Sequence, residues 1–232
     1  MNASDHSLGG IEALLRWHHP RLGMLMPTEF IPMAEENGMI VKIGKWVLED
    51  ACKQFKQWET RQPTRFQDLA ISINLSAVQL RECSLLNSIT ETMDQYQLGA
   101  HKVGLEITES TLIGDQHSAN HTLSALAARQ ITLSLDDFGT GYSSLQHLQA
   151  FPIHVLKIDK CFIATIGQDA KSEQLLIAMI RFAQTLQLKV VAEGVETAAQ
   201  ARFCTEHGCD LLQGYYFSIP TPAQEFEAIW TH

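Results

Sequence analysis

The sequence predicts a (β/α) barrel, an α/β fold in which parallel strands alternate with helices. Short apolar or β-branched segments recur along the chain, and longer segments of helical periodicity lie between them. Segments such as residues 69–73 are almost continuously apolar, which is typical of parallel strands covered on both faces. Seven strand-helix units in one chain favour a barrel over an open sheet.

Each predicted element follows from one of these two periodicities. The predicted strands are residues 11–17, 69–76, 103–110, 132–138, 154–160, 188–194 and 211–217. The predicted helices are residues 28–59, 84–97, 116–129, 172–187, 197–207 and 223–230, and the first is broken at Asn37 and Gly38. A closed barrel normally has eight strands, so either one strand is overlooked or the chain starts inside the domain.

Composition limits the classes of function. The 232 residues are 45 % apolar, and no linker-like stretch divides them. We therefore predict one domain over residues 11–232, preceded by residues 1–10 as a segment that is either disordered or artificially added to the protein. The net charge of −9, without a basic run, argues against binding nucleic acid or an anionic membrane. Five cysteines without a CxxC pair, and no apolar stretch of bilayer-spanning length, indicate a cytoplasmic location, including the cytoplasmic part of a larger membrane-anchored protein.

Polar side chains occur on every predicted strand. Asp136 and Asp137 are adjacent where an apolar run meets a glycine-rich loop. Two such carboxylates repel each other unless cations lie between them, although an Asp-rich turn or helix cap is a structural alternative. The recurrence of polar residues favours a metal site, because strand ends meet at the mouth of a barrel. The residues are Glu12, Asn74, Glu106, Glu109, Asp136, Asp137, Lys157, Asp159, Glu193, Glu196 and Gln213.

The types of these side chains indicate the chemistry. Carboxylate and amide oxygens without a histidine cluster favour Mg²⁺ or Mn²⁺ over zinc or copper. Two such ions close together stabilise charge on a transferring phosphorus, and one of them can supply hydroxide. The sequence therefore predicts hydrolysis of a phosphate ester.

At these residues the chain resembles the EAL-domain family of bacterial cyclic di-GMP phosphodiesterases. Residues 12–17, Glu-Ala-Leu-Leu-Arg-Trp, carry the motif that names the family. The later motifs follow in order at residues 74–76, 106–109, 136–145, 156–159, 192–197 and 213–215. The similarity extends from residue 10 to residue 217, and motifs in this order on successive strands are far more specific than the three-letter motif alone.

The resemblance implies a TIM-like barrel with two metal ions, Mg²⁺ or Mn²⁺, in each site. The implied ligands of the first ion are Glu12, Asn74, Glu106 and Asp136, and Asp136 bridges to a second ion that Asp137 also binds. Lys157 and Glu193 correspond to catalytic groups that hold and polarise the attacking water, and Glu12 is included with them as catalytic.

The resemblance also implies contacts with substrate and partners. Arg16 and Gln213 match substrate-binding residues. Glu109 matches the residue that tethers the loop at residues 136–145, whose conformation links dimerisation to activity in the family. The implied partners are cyclic di-GMP, a second copy bound through this loop region, and fused sensory or cyclase domains in a longer protein.

Several residues have structural alternatives. Lys157 lies near several carboxylates and should stay charged, which favours positioning of water over proton abstraction, but an ion pair with Asp159 is an alternative. Arg16 suits a phosphate, or else is a surface cation. Gly139 and Gly141 fit a mobile loop and a tight turn equally well.

The predicted function is hydrolysis of one phosphodiester bond of cyclic di-GMP to linear pGpG. A catalytically impaired cyclic di-GMP receptor is the alternative, because only eleven residues precede Glu12 whereas the family has a helix and a further strand there. An unrelated metal-dependent barrel enzyme, such as an aldolase, lacks specific support. An open barrel exposes strand edges, so we expect a partner chain or the N-terminal residues to cover them, or else lower stability.

Overall fold

Parallel strands form the central sheet in a computed structural model, which describes residues 1–112, 116–141 and 150–230. The strands in chain order are β1 (Ile11–Ala13), β2 (Trp17–His19), β3 (Gly23–Leu25), β4 (Ile71–Asn74), β5 (Val103–Thr108), β6 (Thr132–Phe138), β7 (Val155–Ile158), β8 (Lys189–Ala192) and β9 (Leu211–Leu212). Seven of them pair in the order β1-β4-β5-β6-β7-β8-β9, and every pair is parallel. The predicted strand-helix alternation therefore gives a curled half-barrel.

Helices cover the sheet, and apolar strand residues such as Leu105, Leu133 and Leu156 are buried. The helices are α1 (Pro27–Glu36), α2 (Met39–Arg61), α3 (Pro63–Phe66), α4 (Ala77–Leu80), α5 (Leu85–Tyr96), α6 (Glu109–Leu112), α7 (Gln116–Ala127), α8 (Lys160–Ile163), α9 (Ala170–Thr185), α10 (Ala198–Glu206) and α11 (Ala223–Trp230). The predicted break between the first two helices is confirmed at Gly38, whose φ of +73° suits glycine. Within the described ranges, no helix has the length and apolarity needed to cross a bilayer.

The strands predicted for residues 11–17 and 211–217 are wrong in extent. After β1 the chain turns away, and β2 pairs antiparallel with β3 in a separate hairpin. The ring of Trp17 contacts the buried Phe30, with centroids 5.6 Å apart, which fixes this hairpin against α1. At the other end of the sheet, β9 stops at Leu212.

The first residues of the chain run along β9. Asn2 pairs antiparallel with Leu211, and the Ala3 amide donates a hydrogen bond to the Asp210 carbonyl at 2.9 Å. Ala3 is buried against the core. No pairing joins β9 to β1 among the strands that the structure describes. The start of the segment predicted as disordered or added thus covers part of the open edge.

Candidate active site at the carboxyl ends of the strands

The ammonium group of Lys157 lies at the centre of the candidate site. Lys157 is in β7 and is 3 % exposed. Its Nζ donates a hydrogen bond to the Glu106 carboxylate at 2.6 Å and forms an ion pair with the Glu193 carboxylate at 2.7 Å. The same atom lies 3.3 Å from Asp136 Oδ1 and 3.5 Å from Glu12 Oε2. Side chains that are far apart in sequence therefore converge, because parallel strands place their last residues at one end of the sheet.

Lys157 remains charged in this setting. Burial lowers the pKa of its ammonium, but the negative charges of Glu106, Glu12, Glu193 and Asp136 outweigh burial, so the pKa lies well above its usual range. Asp159, the alternative partner, instead accepts a hydrogen bond from the Cys161 amide at the start of α8, at 2.8 Å.

Glu12 is held by two amide side chains. Asn74 Nδ2 donates to Glu12 Oε1 and Gln213 Nε2 donates to Glu12 Oε2, each at 2.7 Å. Burial raises the pKa of Glu12, but Lys157 and the two amide donors outweigh burial and lower the pKa overall. A side chain of β4, the neighbour of β1, and a side chain that directly follows β9 therefore orient one ionised carboxylate.

Two further carboxylates show that negative charge is in excess. Burial, together with the neighbouring charges of Glu12 and Asp136, raises the pKa of Glu106 to about 8 despite the attraction of Lys157. Burial likewise raises the pKa of Glu193 to about 7. A single ammonium does not compensate all of these carboxylates, which is the electrostatic condition for binding additional cations.

A group of carboxylates next to Lys157 fits a metal ion. Oxygen atoms of Asp136, Asp137 and Glu193 lie within 4.8 Å of one another. Asp136 Oδ1 is buried and accepts no hydrogen bond from any described residue. Burial and the charge of Asp136 raise the pKa of Asp137. Oxygen ligands, excess negative charge and an unsatisfied oxygen together fit a hard divalent cation.

The arrangement differs in detail from the expected ligand sets. Glu193 is expected to hold the attacking water, but its carboxylate is grouped with those of Asp136 and Asp137 as a possible metal ligand. Glu12 and Asn74, expected to share an ion with Glu106 and Asp136, are hydrogen-bonded to each other.

The placement of the Asp136 and Asp137 side chains depends on an irregularity in β6. The pairing of β6 with β7 shifts register between Leu135 and Phe138. Asp137 has a φ of +54°, and its carbonyl accepts a hydrogen bond from the Thr140 amide at 3.2 Å. In a regular strand, adjacent side chains point to opposite faces of the sheet. The bulge changes the direction of one of the two side chains, so both carboxylates reach the same site.

Glu109 and Arg16 differ in their relation to the cavity, because only Arg16 is among its lining residues. Glu109 begins α6 and accepts a hydrogen bond from the Gly141 amide at 2.8 Å, so it holds the described part of the predicted loop. Residues 142–145 of that loop lie outside the described residues. Arg16 lines the cavity, but its Nη1 donates to the neighbouring Leu15 carbonyl at 2.7 Å instead of contacting a described carboxylate.

Three residues that shape this site were given no role of their own in the sequence-based prediction. Lys160 lines the cavity directly after Asp159. A Cβ on Gly194 would lie 2.3 Å from Lys160 Cβ, and a Cβ on Gly214 would lie 2.1 Å from the Val195 carbonyl oxygen. The glycine that follows Gln213 was a usable signal, because glycine near a strand end often marks close backbone approach.

The comparison with known families decides the identity of this fold. Residues 1–220 match the sequence model of the EAL domain family. The chain belongs to the EAL domain family. The predicted TIM-like barrel of EAL type is thereby confirmed, and its sheet is open among the described residues.

Two curated EAL relatives cover nearly the whole chain. The signaling protein YkoW of Bacillus subtilis is 45 % identical over 226 residues, which are 97 % of this chain and 28 % of YkoW. The bifunctional diguanylate cyclase/cyclic di-GMP phosphodiesterase MucR of Pseudomonas aeruginosa is 42 % identical over 219 residues, 94 % of this chain and 32 % of MucR. The chain thus spans about a third of these relatives or less.

Solved EAL structures share the architecture. A MucR phosphodiesterase in complex with c-di-GMP has a TM-score of 0.88 and 42 % identity, covering 94 % of this chain and 87 % of that one. The EAL enzyme Bd1971, bound to cAMP and cyclic-di-GMP, has a TM-score of 0.93 and 31 % identity, covering 99 % of this chain and 62 % of that one.

Proposed function

We propose that this EAL domain hydrolyses one phosphodiester bond of cyclic di-GMP to linear pGpG and needs Mg²⁺ or Mn²⁺ to do so. The observation that carries the proposal is the convergence of Glu12, Glu106, Asp136 and Glu193 on the Lys157 ammonium. Homology supports the substrate, because MucR and NbdA of Pseudomonas aeruginosa are described as cyclic di-GMP phosphodiesterases.

The acidic side chains suit two cations. In this proposal Glu12, Asn74, Glu106 and Asp136 would hold one ion, and Asp136 and Asp137 would hold the other. When bound, such ions stabilise negative charge on the phosphate and lower the pKa of a coordinated water. The unsatisfied Asp136 Oδ1 supports a bridging role for this residue.

The protein residues orient the reactants. Lys157 stays protonated, so it acts as a hydrogen-bond donor that orients water and offsets charge. Glu193 lies 2.7 Å from that ammonium and is placed to accept a hydrogen bond from the same water. In hydrolysis the water oxygen bonds to phosphorus, one ester P–O bond breaks, and the released sugar oxygen takes a proton. In this proposal Arg16 contacts the phosphate through guanidinium N–H donors that the Leu15 carbonyl does not occupy.

We also propose that two copies associate through the region of residues 136–145. Glu109 connects this region to the candidate site through the Gly141 amide. Sensory or cyclase domains would belong to a longer protein, as the greater length of the relatives suggests.

Product analysis tests the proposed function. The protein is incubated with cyclic di-GMP and Mn²⁺, and the nucleotides are separated by chromatography, with EDTA-treated protein as the control. We expect linear pGpG with Mn²⁺ and unchanged substrate with EDTA. Binding of cyclic di-GMP without pGpG formation in Mn²⁺ would contradict the enzyme and support the receptor alternative.

A further inference from the structure

Lys160 is a second cation at the candidate site that no described carboxylate neutralises. It is the first residue of α8 and lines the same cavity as Glu12, Lys157 and Glu193. Within the part of the chain that the structure describes, its ammonium makes no ion pair or hydrogen bond, whereas Lys157 lies within 4.0 Å of four carboxylates. The two lysines therefore differ in the availability of their charge.

The backbone holds the base of the Lys160 side chain close to Glu193. Gly194 has a φ of +67°, and a Cβ added to it would lie 2.3 Å from Lys160 Cβ and 3.1 Å from Lys160 Cα. Only a residue without a side chain allows this approach. The start of α8 is thus packed against the turn that carries Glu193, while the Lys160 side chain as a whole remains exposed.

The charge of Lys160 acts on one acidic group of the site, Asp137. Burial raises the pKa of Asp137, as do Asp136 and Asp159, and the positive charges of Lys157 and Lys160 oppose this rise. Lys160 is therefore near enough to influence Asp137 electrostatically without forming a contact pair with it.

We infer that Lys160 binds an anionic phosphate oxygen of the substrate at the mouth of the site. This inference rests on the proposed function. An anion that approaches a site rich in carboxylates is repelled until cations offset their charge, and the exposed Lys160 ammonium, which no described carboxylate pairs, is available to do so. A flexible ammonium suits this use, since it contacts a phosphate as a point charge. Its effect is on affinity, because Lys160 is exposed and, unlike Lys157, forms no ion pair with the described carboxylates of the site.

Binding and kinetics of Lys160→Met test this role, with Lys160→Arg as the conservative variant. Lys171→Met is the matched control, because Lys171 is an exposed lysine that does not line the cavity. Removing a partly exposed charge contact should weaken cyclic di-GMP binding and raise KM by about three- to tenfold, with little change in kcat. Lys160→Arg and Lys171→Met should resemble the wild type. The difference should shrink at high salt, which screens exposed charges.

Two sets of outcomes separate this inference from the proposed function. Equal affinity of the wild type and Lys160→Met, or an equal loss in Lys171→Met, would overturn the role of Lys160 and leave the phosphodiesterase proposal intact. Normal cyclic di-GMP binding by the wild type without turnover would contradict the phosphodiesterase proposal. In that case the affinity difference in Lys160→Met would still support phosphate binding by Lys160.

Discussion

Asp136 occupies a position that hydrogen bonding alone does not explain. Its Oδ1 is buried and accepts no hydrogen bond from the described residues, and its closest cation is Lys157 Nζ at 3.3 Å. Buried carboxylate oxygens are normally satisfied, and an unsatisfied oxygen costs free energy. A function in which the free lone pair of Oδ1 binds a cation accounts for a carboxylate at this position.

Asp136→Asn tests the function of this carboxylate with almost no change in shape. We expect hydrolysis of cyclic di-GMP to fall by about 10²-fold or more, as is typical when a group that stabilises the transition state is lost. Asp94→Asn is the control, because Asp94 is exposed on α5. The measurement is the initial rate of hydrolysis in Mn²⁺. Wild-type turnover in Asp136→Asn would contradict the proposed bridging role.

Lys157 should also contribute to stability. Lys157→Met removes the cation that lies within 3.5 Å of four carboxylates. We expect the free energy of unfolding to fall by about 3–5 kcal/mol, because buried charges lose their partner. Urea denaturation in EDTA measures this change, with Lys171→Met as the exposed control. Added Mn²⁺ should restore part of the loss, and a variant as stable as the wild type would contradict this view of the site.

The raised pKa values of Glu106 and Glu193 predict a pH dependence of stability. Both are raised above the ordinary value of 4.5, to about 8 and about 7. The folded state therefore holds more protons than the unfolded state in this range. The contribution of these groups to stability is complete below about pH 4.5 and is lost as the pH rises through about 7 and 8.

We expect the metal-free protein to lose stability between about pH 5 and pH 8 through this linkage. Glu106→Gln should make this decline shallower, because one of the two linked groups no longer titrates. Denaturation at a series of pH values in EDTA measures the slope, with the exposed Glu225→Gln as the control. Identical slopes in the wild type and Glu106→Gln would contradict the assignment of a raised pKa.

At the scale of elements, the turns after β8 and β9 position Gln213. The Val195 amide donates to the Gln213 carbonyl at 3.0 Å, and the Tyr216 amide donates to the Val195 carbonyl at 3.0 Å. Gly214 makes this contact between backbones possible, since any side chain there would meet Val195. The hydrogen bond from Gln213 to Glu12 therefore depends on Gly214, which has no side chain that could contact a ligand.

Gly214→Ala should separate these two turns. We expect a loss of about 1–3 kcal/mol in stability from overpacking, together with reduced hydrolysis because Gln213 no longer orients Glu12. Gly10→Ala is the control, because an added Cβ there would lie 3.8 Å from its nearest neighbour, the Ala70 carbonyl oxygen. Thermal unfolding compares the two variants, and equal midpoints would show that the close approach is unimportant.

Sequence predicted the elements best where periodicity was uninterrupted. The strand predicted at residues 132–138 and the helix predicted at residues 223–230 have the observed bounds. The hairpin of β2 and β3 was missed, because residues 11–17 have the apolar character of one strand, whereas in the structure β1 ends at Ala13 and Trp17 packs on Phe30. Local sequence does not contain that tertiary contact.

The candidate site was predictable as a set of residues but not as a geometry. Strand-end positions were enough to predict that Glu12, Glu106, Asp136 and Lys157 meet. The grouping of Glu193 with Asp136 and Asp137 depends on side-chain directions and on the bulge in β6, which periodicity does not specify. Lys160 was missed because its position depends on packing against Gly194.

At the scale of the whole molecule, residues 1–3 cover an edge that would otherwise be exposed. Unpaired strand edges favour aggregation, and the bridge between Asn2 and Leu211 occupies part of the β9 edge. The Thr205 hydroxyl also contacts the Ala3 carbonyl, at 3.3 Å, so this segment is attached to α10 as well as to β9.

Ala3→Asp should detach this segment. A carboxylate in place of the buried Ala3 methyl should cost about 1–3 kcal/mol and increase aggregation. Ser4→Asp is the matched control, because Ser4 is exposed beside it. Denaturation measures the stability of both variants, and light scattering measures their aggregation. Equal stability and equal aggregation would show that residues 1–3 do not stabilise the sheet.

A crystal structure of the protein soaked in Mn²⁺, with anomalous scattering used to locate the ions, tests whether two cations bind at Asp136. We predict two anomalous peaks at the carboxyl ends of the strands, both within coordination distance of Asp136. The absence of any peak near Asp136 and Asp137, in crystals that bind Mn²⁺ elsewhere, would contradict the account.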